Sequence, residues 1–248
     1  MINFPVKSVL VISVASAIGL LSGCAAVQTA VEHRNLDVNS KMSNSIFLDP
    51  VAPEQRTIYV AVKNTSSQAN IGLKDELKQA LAQNGWRVTD DFSKAHDRVQ
   101  VNILQVGKAK DANAVYASLS NGFGGALAGG LIGSALAHGA ASGALAGGAI
   151  GAGAGWLSGM LVKNVTYSMI TDVQVAQRTE NNALVTTNTK SNLAQGNSST
   201  QTQSLHTQGH FVKYRTRIAS TANKVNLDFN DAKGALARQM AHEIAGIF

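Results

Sequence analysis

The sequence predicts an α+β fold in which an antiparallel sheet with flanking helices is interrupted by a Gly/Ala-rich, membrane-embedded helical hairpin. Three observations predict it. Apolar and polar residues alternate in twos on the far side of the chain's middle, in "VTYSMITDVQVAQR" (165–178) and "FVKYRTRIAS" (211–220), with shorter strand-like runs before it. Leucines spaced by four near residue 77, and a similar stripe at the C-terminal end, mark two helices. Between these regions, Ala112 to Val162 contains no Asp, Glu, Lys or Arg, and its only titratable side chains are Tyr116 and His138.

The N-terminal end reads as a leader. Lys7 supplies a positive start, and "SVLVISVASAIGL" (8–20) is an apolar core of signal-peptide length, short for a membrane span. Leu21, Ser22, Gly23 and Cys24 follow, and this "LSGC" resembles the processing box of bacterial lipoproteins. In that family the cysteine thiol takes a diacylglyceryl group, the leader is cut before the cysteine, and the new amine is acylated. Residues 1–23 are therefore expected to be removed, leaving Cys24 as a lipid anchor. Several acyl chains make a stable anchor, since each buried methylene adds about 0.8 kcal/mol. Ala25, in place of an aspartate, resembles the default sorting of such proteins to the outer membrane. Cys24 is the only cysteine, so no disulfide can form within one chain.

Beyond the anchor, residues 24–110 and 164–248 read as two halves of one α+β domain flanking 111–163. A short tether leads to "IYVAV" (58–62), a strand. Asn70 is placed to cap a helix carrying Leu73, Leu77 and Leu81, which Asn84-Gly85 would stop. A strand near Trp86 and another in "RVQVNILQV" (98–106) follow. In 165–178, Tyr167, Met169, Val173 and Val175 share one face, with Thr166, Ser168, Asp172 and Gln174 opposite, which predicts a half-buried antiparallel strand. Residues 186–209 are polar and nearly uncharged, an exposed loop or ragged hairpin. In 211–220, Val212, Tyr214 and Ile218 oppose a cationic strip of Lys213, Arg215 and Arg217. A helix over roughly 229–247 carries Leu236, Met240 and Ile244.

The middle segment holds 14 of the 23 glycines. Gly143, Gly147, Gly151, Gly155 and Gly159 recur every fourth residue, and Gly125, Gly129 and Gly133 repeat the device earlier. Residues four apart lie above one another on a helix, so each series leaves a bare groove. In water each such glycine costs up to about 1 kcal/mol against alanine. In lipid the helix is enforced, because backbone groups must pair internally, and bare faces let two backbones approach closely. The stretches of about 119–137 and 141–162 are each near the length that crosses a bilayer, with "HGAAS" (138–142) turning between them. These faces predict a homo-oligomer embedded in outer-membrane lipid. A buried hairpin in a soluble core and a flexible linker are the alternatives. Leu127, Leu131, Ile132, Leu145, Ile150 and Leu157 count against the linker.

No catalytic constellation is present. The six histidines form no ligand cluster, and His206 and His210 sit in a polar context unlike a helix. Asp90-Asp91 reads as a turn before Phe92. "GAGAG" (151–155) lacks the preceding strand of a nucleotide-binding loop. No metal, cofactor or small-molecule substrate is expected beyond the acyl chains on Cys24. Net charge is +6, but the 21 Lys and Arg are scattered, which argues against nucleic acid. The cationic strip could meet lipid phosphate or sugar acids, and a solvated sheet face is the simpler reading.

Several stretches resemble the TraT family of surface-exclusion and complement-resistance lipoproteins. They are "LSGC" (21–24), "RNLDV" (34–38), "MSNSIFLDP" (42–50), "YSMITDVQVAQRT" (167–179) and "ANKVNLDFNDA" (222–232). The resemblance implies an abundant, surface-exposed, oligomeric outer-membrane lipoprotein that is not an enzyme. It also implies that the protein hinders stable mating-pair formation with donors of the same plasmid, through the donor mating apparatus or a recipient outer-membrane protein, and protects against complement. An oligomeric pore or export-channel component is the alternative reading.

Overall fold

The computed structural model describes residues 33–124, 163–195 and 199–248. Among these residues eight strands are formed: β1 (Asp37–Met42), β2 (Thr57–Asn64), β3 (Arg87–Thr89), β4 (Asp97–Ala109), β5 (Asn164–Arg178), β6 (Val185–Gln195), β7 (Ser199–Gly209) and β8 (Phe211–Val225). Three α-helices accompany them: α1 (Leu73–Gln83), α2 (Ala112–Ala117) and α3 (Phe229–Ala245). Six strands make one sheet in the order β1-β8-β5-β4-β2-β3, and β6 and β7 make a separate ribbon.

The sheet is mixed, which corrects the wholly antiparallel sheet that the sequence pattern predicts. β1, β8, β5 and β4 pair antiparallel, but β2 runs parallel to both β3 and β4. Alternation reports which face is buried and carries no information about direction. The direction comes from α1, which returns the chain so that β3 lies alongside β2 with the same heading. The polar stretch 186–209 is an ordered antiparallel ribbon, with Val185 opposite Gly209 and Gln195 opposite Ser199.

Helix α1 stops where the sequence places it. Gly85 lies at φ 84, its N–H donates to the Ala82 carbonyl, and the Trp86 N–H reaches back to Leu81. This left-handed termination favours glycine because a Cβ is disfavoured there. The expected cap at the other end is absent. Asn70 adopts φ 53 two residues before Gly72, which precedes the helix at φ 79 with no side-chain cap. Helix α3 does have one, since the Asp228 carboxylate accepts from the N–H groups of Asn230 and Asp231 at 2.7 and 3.0 Å.

Both faces of the sheet are covered at its centre. On one, Val99, Val101, Met169, Val173 and Val175 meet Leu73, Leu77 and Leu81 of α1 and Leu236, Met240 and Ile244 of α3. The Trp86 and Phe248 rings close this layer edge to face, 5.5 Å between centroids. On the other face, Val115 of α2 packs on Ile170 and Ala219, all three sealed from solvent. Strand β5 is therefore buried on both sides, and Thr166, Ser168 and Asp172, expected to face water, do not. The sequence predicts burial on one face only, because α2 begins an uncharged stretch that reads as membrane segment.

Among the described residues no helix is long and apolar enough to cross a membrane. The expected hairpin of about 119–137 and 141–162 lies almost wholly outside them. Residues 118–121 form a 3-10 turn on the sheet, followed by Gly122 at φ 61 and Gly124 at φ 72.

Leu236 is completely buried between α3 and the sheet, whereas Leu205 on β7 is 58% exposed. Leu236→Ala should cost about 2–5 kcal/mol, and Leu205→Ala no more than about 0.5 kcal/mol. Denaturation of the detergent-extracted full chain measures both.

Candidate functional site

The site with the greatest concentration of buried charge lies where the chain leaves the sheet for the glycine-rich segment. Asp172 on β5 stands directly across from Arg217 on β8, so the two side chains share a face. Arg217 Nε donates to Asp172 Oδ1 at 2.7 Å and its Nη2 donates to Oδ2 at 3.1 Å, a two-pronged pair. Their side chains are only 1% and 10% exposed. A charge taken out of water is costly unless paired, so each residue requires the other.

The same carboxylate holds the departing chain. The Gly124 N–H donates to Asp172 Oδ2 at 3.0 Å, and Arg215 lies over the Phe123 ring, 5.3 Å from its centroid. Gly124 can make this bond at φ 72, a backbone conformation that residues with a Cβ rarely adopt. Helix α2 fixes the approach. Asp111 caps it by accepting from the Ala114 N–H at 2.8 Å, and the Tyr116 hydroxyl shares a hydrogen bond with Thr221 on β8 at 2.8 Å. Burial raises the Tyr116 pKa, so the phenol stays protonated.

The returning chain is held on the same strand pair. Lys163 N–H donates to Asn226 Oδ1 at 3.2 Å, while Asn226 N–H donates to the Lys163 carbonyl at 2.8 Å. Eight strand steps separate Asn164 from Asp172, about 26 Å at about 3.3 Å per residue. The segment 125–162 is thus rooted at two points on one rigid element.

The sequence-derived site residues fall elsewhere. Leu21, Ser22, Gly23 and Cys24 lie outside the described residues, as do Gly125, Gly129, Gly133, Gly143, Gly147, Gly151, Gly155 and Gly159. The cationic strip is divided by the structure. Arg217 is buried against Asp172, which corrects its placement on a solvated face; Arg215 donates to Gln174 Oε1 at 2.8 Å; Lys213 is exposed. The sequence pattern places Asp172 and Arg217 each on the polar side of a strand. Only the register that sets them opposite each other reveals the pair.

Acid–base chemistry finds no footing among the described residues. Asp97 Oδ1 lies 2.9 Å from His96 Nδ1, but the Asp97 side chain is sealed from solvent and burial raises its pKa. A carboxylate that cannot meet a substrate is structural. Asp91 forms the expected turn, accepting from the Ser93 N–H and hydroxyl at 2.9 and 2.6 Å, which holds its pKa down at about 2. His206 lies against Asn188 and His210 against the Ala183 carbonyl, so these two histidines serve separate contacts. No group of His, Cys, Asp and Glu among the described residues could hold a metal ion.

The described residues thus form a mixed sheet that roots an uncharged glycine-rich segment at two points on one strand pair. The model of the "Enterobacterial TraT complement resistance protein" family matches residues 35–248, and the chain belongs to that family. It is 41% identical over 246 residues to a TraT complement resistance protein of Escherichia coli, covering 98% of each chain. A TraT complement resistance protein of Wigglesworthia glossinidia brevipalpis is 30% identical over 232 residues, 92% of this chain and 91% of that one. The family comprises non-enzymatic outer-membrane proteins associated with surface exclusion and serum resistance. Among solved structures, a PelC dodecamer from Paraburkholderia phytofirmans aligns over 83% of this chain and 97% of that one. Its TM-score of 0.30 and 7% identity are too low for fold or assembly to be carried over.

Removing one partner of the buried pair should cost about 3–5 kcal/mol, because the other charge stays behind. Asp172→Leu should therefore destabilise strongly, and adding Arg217→Met should recover much of the loss. Thermal midpoints of wild type, the single variant and the double variant test this; a double variant no better than the single would contradict the pairing.

Proposed function

We propose that the protein is an acyl-anchored outer-membrane homo-oligomer whose copies pack through the glycine faces between residues 125 and 162, beyond the 3-10 turn and the Gly124 contact that hold 118–124 on the sheet. In this form it performs the surface exclusion and serum resistance of its family. The observation that carries the reading is an uncharged segment with glycine at every fourth place, entered and left through hydrogen bonds to one rigid strand pair. Small residues on one helix face permit close backbone contact in lipid, where apolar side chains gain nothing by leaving the lipid for one another.

On this reading Cys24 carries the diacylglyceryl and N-acyl chains, and residues 1–23 are the cleaved leader. The α/β domain is then tied to the membrane twice, by the acyl chains and by the glycine-rich segment. Exclusion requires no chemistry from the described residues, only a dense array of such domains that keeps a mating partner at a distance or occupies a surface protein it needs. The donor mating apparatus and a recipient outer-membrane protein are the two partners that fit this role.

Expression in recipient cells should lower transfer from a donor of the same plasmid type and raise survival in serum. Unchanged mating and survival at full surface abundance would overturn the functional reading. Gly147→Leu, Gly151→Leu and Gly155→Leu together should reduce the native mass of the detergent-extracted protein to that of smaller species while acylation persists. Cys24→Ala should leave an unacylated precursor, seen by acyl labelling.

A further inference from the structure

A second feature, apart from the root of the glycine-rich segment, lies farther along the same sheet face. A cavity of about 270 Å³ opens between the sheet and the base of the β6–β7 ribbon. Arg98, Gln100, Gln174 and Lys213 line it with Phe92 and Phe211, and among the described residues no acidic side chain does. The volume holds several water molecules, so it accommodates more than a bare ion.

Arg98 is held in an unusual way. Its guanidinium carbon lies 3.5 Å from the centroid of Phe92 and 3.8 Å from that of Phe211. Two rings cannot both fit that close on one side, so the group is sandwiched. Ring stacking covers both faces of a guanidinium and leaves only its edge for hydrogen bonds. That edge has no acceptor among the described residues: Nε is buried without a partner, and Arg98 takes part in none of the ion pairs. The nearby acids are engaged elsewhere, Asp91 with Ser93 and Lys94, and Asp97 with His96 on the opposite face. Arg178 adds positive charge, its guanidinium 5.0 Å from the Phe211 centroid.

A chain of amides points the same way. Arg215 can only donate, so the Gln174 oxygen faces it, and the Gln174 Nε2 then donates to Gln100 Oε1 at 2.9 Å. The Gln100 NH₂ is left as the terminal donor of a relay that begins at a cation, which strengthens it. The cavity thus presents a preset guanidinium edge, an ammonium and an amide donor, with threonines of the ribbon alongside.

We propose that this cavity binds the oxyanion of a phosphorylated or carboxylated sugar, the anion seated on the Arg98 edge and Lys213 and the hydroxyls on Gln100 and the ribbon. A flat or tetrahedral oxyanion accepts two parallel bonds from a guanidinium edge, and the remaining volume suits one sugar ring. The source of that sugar is either a free sugar phosphate or acid, or the phosphate-bearing headgroup of a membrane glycolipid. The proposal is independent of how the glycine-rich segment packs.

Titration calorimetry of the detergent-extracted full chain with glucose 6-phosphate, glucuronate and glucose tests it, alongside flotation with vesicles containing or lacking a phosphorylated glycolipid. Binding of a charged sugar but not of glucose, weakened roughly ten- to a hundredfold by Arg98→Gln, supports the site. Binding only to the glycolipid vesicles, lost in Arg98→Gln, also supports it and places the anion on the membrane. Arg98→Lys keeps the charge without the two-pronged edge and should recover only part of the affinity. Lys63→Gln, on the far end of β2, should change nothing. No binding in either format, equal binding of glucose, or binding indifferent to Arg98→Gln would overturn the proposal.

Discussion

One carboxylate, Asp172, ties together parts of the chain that sequence keeps far apart. Its oxygens receive two donors from Arg217 on the neighbouring strand and one from the backbone of Gly124. The arrangement exists because β5 is covered on both faces, so a charge at its middle has no water to turn to. The guanidinium satisfies the charge, and the glycine N–H uses the remaining acceptor capacity. Loss of that carboxylate would remove two hydrogen bonds from the buried Arg217 and the acceptor of the Gly124 N–H. The dependence runs the other way as well, since α2 and the 3-10 turn that bring Gly124 into place also exclude the water that would otherwise weaken the pair.

The rest of the sheet is organised to make this possible. Helices α1 and α3 bury an aliphatic layer on one face, and Val115 with Ile170 and Ala219 seals part of the other. The open edges are blunted. β3 has three residues, and β1 is a six-residue strand with Asp37 and Lys41 on it, both features that discourage further strand pairing. Beyond α2 on that second face, the guanidinium groups of Arg98 and Arg178 gather around Phe211.

Much of this is legible in the sequence. Leu236, Met240 and Ile244 are buried on α3 as their spacing requires, and Asn84-Gly85 ends α1 because a left-handed residue is needed there. The alternation in β5 and β8 correctly separates their two faces. Other parts are not legible, for physical reasons. β1 is polar at every exposed position and takes its form from pairing with β8, not from its own composition. The parallel heading of β2, β3 and β4 depends on how α1 connects them. Arg217 reads as solvated because a lone arginine on a polar strand face gives no sign of what covers it. Asn70 has the chemistry of a helix cap, but a left-handed turn places it two residues too early. The guanidinium sandwich of Arg98 joins residues from 92 to 211 and has no local signature at all.

Amide hydrogen exchange at Gly124, followed by mass spectrometry on the detergent-extracted full chain, tests the anchoring role of Asp172 most directly. A bond to a buried carboxylate should slow that exchange by orders of magnitude relative to an open chain. The protection should vanish when Asp172 is replaced, even under conditions where α3 remains protected. Exchange at Gly124 as fast as in an unstructured peptide would contradict the claim that the sheet grips the root of the glycine-rich segment.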